Sequence, residues 1–315
     1  MKKKMFWVLA VACWIALPLL ADNRATGRVT CRITDETGVP VEGVTTFVAS
    51  TASRDAYEGL TDKQGLYSCK MRKIFPPIWG QFKKKGYYTT QGHVWNGGFG
   101  IVPAETLEIT LKRIIDPVPM EKREVRLLFP ELEKPIGFDF EVGDWVAPHG
   151  KGKLADIFIT GTYEENKEQE TFAYTATLSV SNVHDGFIPF KVVRMSSDTP
   201  AHSALQVPQV VPDEGYQPEI EAYKKRLSQN GVWEDSCNTG NDYYFRLRSI
   251  VDDDGKVKSG NVGWFYDGTR TTNNDRYDLD NPATRLRITM FYYWNPDPTS
   301  HSLEPKEIAD RQGVD

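Results

Sequence analysis

His301-Ser-Leu-Glu304 has the spelling of a zinc-ligand pair. A catalytic zinc site of that kind needs a third protein ligand further along the chain. Eleven residues follow Glu304 and none is His, so the set is incomplete. The five histidines, at 93, 149, 184, 202 and 301, are dispersed, and the chain holds no H-E-x-x-H, no paired-cysteine motif and no G-x-S-x-G elbow. Zincin and α/β-hydrolase mechanisms therefore have no motif to rest on. No catalytic residue, no metal ligand and no cofactor site is assigned from the sequence. A triad assembled from scattered residues stays open as the enzymatic alternative.

Oxygen-rich clusters come next. Asp252-Asp253-Asp254-Gly255 and the stretch Asp275, Asp278, Asp280, Asn281 offer carboxylates and an amide of the kind calcium takes, but neither follows the D-x-[DN]-x-[DN]-G order. Hairpin turns, whose geometry Asp and Asn tolerate, are the favoured reading. His149-Gly-Lys-Gly-Lys is too short for a phosphate loop and reads as turn glycines with solvated lysines. Lys83-Lys84-Lys85 reads as a charged strand edge that discourages edge-to-edge pairing. Aromatic side chains are the remaining signal. Trp264-Phe-Tyr266 and Phe291-Tyr-Tyr-Trp294 put consecutive rings on both faces of strands. If one face were open, Trp264, Tyr266, Tyr292 and Trp294 would form a platform for a sugar ring or a protein partner. These four are the binding candidates; the favoured alternative is a sheet covered on both faces, because central strands are aromatic-rich anyway.

The N-terminus addresses the chain for export. Lys2, Lys3 and Lys4 precede an apolar run of about sixteen residues, Met5 to Leu20, and Ala21 stands before the polar Asp22 and Asn23. That pattern predicts a signal peptide over residues 1–21, cleaved after Ala21. The alternative is an uncleaved anchor, although the run is short of the ~20 residues a spanning helix needs. A lipoprotein reading at Cys13 fails, because Trp14-Ile-Ala-Leu continues the apolar run. Cleavage removes three lysines and no acid, so a net charge of −5 becomes −8. An acidic chain is the wrong partner for nucleic acid, whose binders cluster Lys and Arg. No later apolar run is long enough to cross a bilayer as a helix.

Three cysteines remain after cleavage. Alternation in Val29-Thr-Cys31-Arg-Ile33 and in Tyr67-Ser-Cys69-Lys-Met71 turns Cys31 and Cys69 to the inner faces of their strands. Export makes a Cys31–Cys69 disulfide the expectation, with two buried free thiols as the alternative. Cys237 is left over in a turn-like segment.

From Gly27 to Leu111 short alternating strands are separated by turn signals at Asp35-Glu-Thr-Gly38, Asp62-Lys-Gln-Gly65 and Gly97-Gly98, which predicts a small antiparallel sandwich. Gly27-Arg-Val-Thr-Cys-Arg-Ile-Thr-Asp-Glu-Thr-Gly-Val-Pro-Val-Glu-Gly43, Thr61-Asp-Lys-Gln-Gly-Leu-Tyr67 and Lys85-Gly-Tyr-Tyr88 resemble the successive blocks of the carboxypeptidase regulatory-like domain. That resemblance covers over a quarter of the chain and implies a transthyretin-type sandwich. Val44 and the long, aromatic Phe75-Pro-Pro-Ile-Trp-Gly80 depart from the family's pattern. Such modules are accessory parts of many secreted proteins, so no chemistry comes with the likeness. The chain has no room for a metallocarboxypeptidase catalytic domain.

Arg113-Ile-Ile-Asp-Pro-Val-Pro-Met-Glu-Lys122 opens a linker, taken as residues 116–128 between a sandwich over 24–115 and a β-rich domain over 129–315. In the larger domain Thr171–Ser181, Tyr243–Ile250, Val257–Tyr266 and Arg285–Trp294 read as strands. Pro218–Asn230 reads as a helix, with Ile220, Tyr223 and Leu227 on one face and Gly231 past the end. Gly143-Asp-Trp-Val-Ala-Pro-His-Gly-Lys-Gly152 with Asp156, and Trp294-Asn-Pro-Asp-Pro298, are similar to segments of uncharacterised exported bacterial proteins. The expectation is thus a mainly β, two-module, exported protein, periplasmic or extracellular. Its function is read as non-enzymatic, binding a glycan or an envelope protein or serving structure. The alternative is a secreted hydrolase of polysaccharide or peptide with its site in the larger domain.

Overall fold

The computed structural model describes residues 27–50, 55–71, 77–95, 106–166, 171–191, 200–227, 233–234, 241–273 and 286–312, with backbone alone at 164–166, 171–174, 222–227, 233–234, 241, 266–273 and 286. The signal peptide, Cys13, Cys237, the Asp275–Asn281 cluster and the Tyr266 side chain lie outside the described residues. In chain order the strands are β1 (Gly27–Asp35), β2 (Thr45–Ser50), β3 (Ala56–Leu60), β4 (Leu66–Met71), β5 (Ile78–Lys83), β6 (Tyr87–Tyr88), β7 (Thr90–Trp95), β8 (Leu107–Arg113), β9 (Glu121–Leu128) and β10 (Ile136–Asp139). They continue as β11 (Asp144–Trp145), β12 (Ile157–Asn166), β13 (Thr171–Ser179), β14 (Gly186–Lys191), β15 (His202–Ser203), β16 (Glu219–Leu227), β17 (Trp233–Glu234), β18 (Asn241–Val251), β19 (Val257–Asn273) and β20 (Leu286–Trp294). The helix found among the described residues is short, Lys306–Asp310. The protein is mainly β, and among the described strands the pairings are antiparallel except between β1 and β8, which run parallel.

Two compact units divide the chain. The first comprises Met1–Arg113 with Val193–Ala204 and Gln312–Asp315; the second comprises Ile114–Val192 and Leu205–Arg311. In the first unit one sheet has the order β4-β1-β8-β6 and the other β15-β7-β5-β2-β3. The period-two pattern of β1 makes it a sandwich strand: Val29, Cys31 and Ile33 are buried while Arg28 and Arg32 face water. Those residues pack with Val48, Met71, Ile78, Phe82 and Leu111 from the surrounding strands. Both Asp-x-x-Gly turns close by the same chemistry. Asp35 Oδ1 accepts the N–H of Thr37 (2.9 Å) and Val39 (3.0 Å), and Asp62 Oδ1 accepts those of Gln64 and Leu66 (both 2.9 Å). Gly65 is obligatory: its φ is +71°, and a Cβ there would stand 2.3 Å from the Ile33 carbonyl oxygen.

In the second unit sheets of order β11-β10-β12-β13-β16-β17 and β14-β18-β19-β20-β9 enclose a core of Phe138, Phe140, Ile157, Leu178, Phe245, Phe265, Met290, Tyr292 and Trp294. In β13, the buried Ala176 and Leu178 alternate with the half-buried Thr175 and Thr177, as a one-sided strand requires.

Three expectations are corrected. Cys31 and Cys69 are buried but both are free thiols. In the β1–β4 register Cys31 lies opposite Tyr67 and Cys69 opposite Val29, so the cysteines are diagonal neighbours. Diagonal positions are ~7–8 Å apart, too far for a disulfide without moving backbone. Glu219–Leu227 is strand β16, not a helix. Ile220 pairs with Leu178 and Tyr223 with Ala176, leaving Ala222 as the extra residue of a bulge. One bulge turns a two-residue step into three, which imitates the start of a helical period. Residues 121–128, expected within the linker, form edge strand β9, paired with β20 along its length, because Val125 enters the core behind the two prolines.

Candidate functional site

The aromatic candidates are core, not surface. Trp264 is 7% exposed, Tyr292 0% and Trp294 1%, so these three form no open platform. Tyr292 and Trp294 belong to the inner face. The Trp294 ring stacks 6.1 Å from Phe140 and 6.0 Å from Phe245, and Tyr292 Oη donates to the Phe140 carbonyl oxygen at 2.7 Å. Trp264 and Tyr293, directly paired across β19 and β20, stack at 4.5 Å on the other face. Strands rich in rings on both faces gain by being covered on both, since each ring carries a large apolar area.

Near Trp294 lies a charged cluster that the sequence did not announce. Arg248, on β18, has φ +57° beside a bulge in the β18–β19 pairing. Its Nε and Nη2 reach the two carboxylate oxygens of Asp156, at 2.7 and 3.1 Å, and its Nη1 reaches Glu141 at 2.6 Å. Its guanidinium also lies 5.2 Å from the Trp294 ring centroid. Asp139 accepts the backbone N–H groups of Val142, Lys153 and Leu154. Burial pushes the Asp156 carboxyl upward against the pull of Arg248. Burial works the same way on Asp139, yet its backbone donors, chiefly Lys153 and Val142, hold it below the usual carboxylate range. Asp185 receives the N–H groups of Arg248 and Ser249, both at 2.9 Å. Every one of these carboxylates is spent on holding backbone or guanidinium in place.

The other sequence motifs resolve the same way. In Gly143–Gly152, Asp144 accepts the N–H groups of Trp145 and Lys151, and Trp145 Nε1 donates to the Leu128 carbonyl oxygen at 2.9 Å. Gly152 has no room for a side chain, because a Cβ would stand 2.9 Å from both Asp139 Cβ and the Asp144 carbonyl oxygen. Glu304 of the apparent zinc motif is fully buried and accepts the N–H groups of Ile115 and Asp116. Asp252 caps its own turn through Asp254 and Lys256 N–H. Among the described residues, no group of three His, Cys, Asp or Glu is placed to hold a metal ion.

One concavity is not spent on the scaffold. In the first unit a cavity of about 490 Å³ is bounded by Thr90, His93 and Val94 of β7, by Glu108, Ile109, Thr110 and Lys112 of β8, and by Pro200–Ser203 and Glu36. Its volume falls in the range of small-ligand and peptide pockets. Two histidines far apart in sequence meet here. His202 Nδ1 donates to the Pro200 carbonyl oxygen at 2.9 Å, which fixes the ring's orientation in the wall. Among the described residues, the buried His93 Nδ1 has no hydrogen-bond partner.

No protein-family model matches the chain, and no curated protein matches it. Among solved structures, a streptococcal ancillary pilin is similar over 74% of this chain, at 12% identity and a TM-score of 0.20. The chain spans 57% of that pilin's length.

Sequence reasoning missed the cleft because its walls are brought together by strand pairing over long separations. His202 faces Gln91 across β15 and β7, and a two-residue strand leaves no periodicity to detect. Arg248 left no such signal: alternation along β18 turns Tyr243, Phe245 and Leu247 inward and would put Arg248 on the other face, and the bulge with its positive φ breaks that pattern.

Proposed function

We propose that this chain is an exported, non-enzymatic binding protein of the cell envelope or extracellular space, whose ligand site is the cleft of the first unit. The charged N-terminus with its short apolar run supports export. No helix of the described residues is long and apolar enough to cross a membrane. The first unit is proposed to be a carboxypeptidase regulatory-like sandwich, on the strength of its blocks at 27–43, 61–67 and 85–88.

The observation that carries the binding reading is the contrast between the two units. Three buried carboxylates of the second unit, Asp139, Asp156 and Glu304, are each held by backbone N–H groups or by Arg248. The first unit holds the cavity, lined by β7, β8 and residues 200–203, with a His93 Nδ1 that has no hydrogen-bond partner among the described residues. Calorimetric titration of the mature chain against peptide and glycan panels tests it, with Ser203→Trp as the variant that fills the cleft. Binding that Ser203→Trp abolishes supports the reading. Binding that survives it, or hydrolysis of either panel, overturns it.

A further inference from the structure

The cavity touches Glu108, Ile109 and Thr110 in succession, and Pro200, Ala201, His202 and Ser203 in succession. Side chains along a strand alternate between its faces, so a space in contact with consecutive residues runs along the strand's edge. On the β8 side no strand of the described residues fills that edge. β1 pairs in parallel with Leu107–Leu111 on one flank. On the other flank β6 covers Lys112 and Arg113 alone. At Thr90 the chain leaves for the opposite sheet, and the Thr90 hydroxyl donates to the Thr110 carbonyl oxygen at 3.0 Å, where a neighbouring strand would have placed an N–H. That bond also fixes the phase. In a strand paired in parallel, a residue's N–H and C=O point to the same flank, and the flank alternates. Thr110 faces the cleft, so Glu108 does too, while Ile109 faces β1. From Leu107 to Thr110 no strand of the described residues lies against this flank.

We propose that the cleft takes an extended peptide segment of a partner protein, which adds as a short antiparallel strand along the free edge of β8, continuing the line of β6. The inference rests on the binding reading above and names its ligand. A row of backbone donors and acceptors at alternate residues is complemented by another extended backbone, the mode by which sheet edges capture peptides. A sugar offers no such repeat. About four residues fit against the open stretch, given a rise of ~3.3 Å each. Glu108, exposed beside the edge, favours a segment carrying Lys or Arg.

The test pans a phage-displayed heptapeptide library against the full mature chain, then titrates the synthesised binder with each backbone nitrogen methylated in turn. The expected result is alternation: methylation at every second residue weakens binding at least tenfold, and methylation between leaves it unchanged. Glu108→Pro, which removes the cleft-facing N–H and spares the β1 ladder, is expected to weaken binding by a similar factor with an unaltered melting curve, whereas Glu108→Gln keeps most of it. A non-alternating methylation scan on the wild-type chain overturns the proposal whether or not Glu108→Pro folds. Glycan binding that Ser203→Trp abolishes, without any peptide binder, overturns the peptide and leaves the binding reading standing. No ligand from either panel overturns both.

Discussion

The guanidinium of Arg248 on β18 is clasped by Asp156 at the entrance to β12, through contacts of 2.7 and 3.1 Å to the two carboxylate oxygens. One belongs to the five-stranded sheet of the second unit and the other abuts the six-stranded sheet, so this pair fastens the two layers of that unit. Its geometry is bidentate and its carboxylate is fully buried.

Removing the cation should therefore be costly. Arg248→Ala leaves the buried Asp156 carboxylate without its cation, and loss of one partner of a buried pair costs ~3–5 kcal/mol. Urea denaturation of the single variant and of Arg248→Met with Asp156→Leu measures it. The double variant is expected to be the more stable of the two. Equal stability of Arg248→Ala and wild type would remove the fastening role.

Asp35 should make stability depend on acid. Hydrogen bonds from Thr37, then the Arg113 guanidinium, hold its carboxyl well below the usual carboxylate range. A depressed folded value means the native state prefers the ionised form, so the contribution is present above the unfolded value of ~3.9 and is lost as pH falls through it towards the folded value. Asp139 acts in the same direction and Asp156 in the opposite one, so the difference between wild type and Asp35→Asn isolates the residue. That difference in melting temperature should stay level from pH 7 to about pH 5 and shrink only as the pH falls below the unfolded value of ~3.9. A difference independent of pH would contradict it.

Both inner thiols should be inert in the folded protein. Burial, and then the neighbouring Cys69, push the Cys31 thiol up to about 12. Burial raises Cys69 as well. Thiolate is the reactive form, so iodoacetamide at pH 8 should leave Cys31 and Cys69 unmodified in the native chain and alkylate both once urea is added. A native mass two daltons short, with no alkylation in urea, would reveal the disulfide that the register disfavours.

Trp294 should behave as a core residue. Trp294→Ala is expected to cost ~3–5 kcal/mol of folding stability, read by urea denaturation, because its ring packs against Phe140 and Phe245. A loss of ligand binding without a loss of stability would instead place the ring at a binding surface.

Read alone, the chain already specified its strands and turns. Val29, Cys31 and Ile33 alternate with polar residues, and three Asp-x-x-Gly turns cap themselves through their own aspartates. Both signals are local, carried by residues within four positions of one another, and local geometry alone satisfies them. Where locality misled, one extra residue was enough: the bulge at Ala222 gave β16 the spacing of a helix.

Tertiary structure decided everything that depends on register. One-residue precision between strands set Cys31 beside Tyr67 instead of Cys69. Pairing β7 with the two residues of β15 brought His202 to the wall that holds His93. Arg248 and Asp156 are 92 residues apart, and only the stacking of two sheets makes them a pair. Side chains that alternate along a strand announce which face they take. Which residue waits on the facing strand is set by the pairing of the whole sheet, because each ladder of hydrogen bonds fixes every contact along it at once.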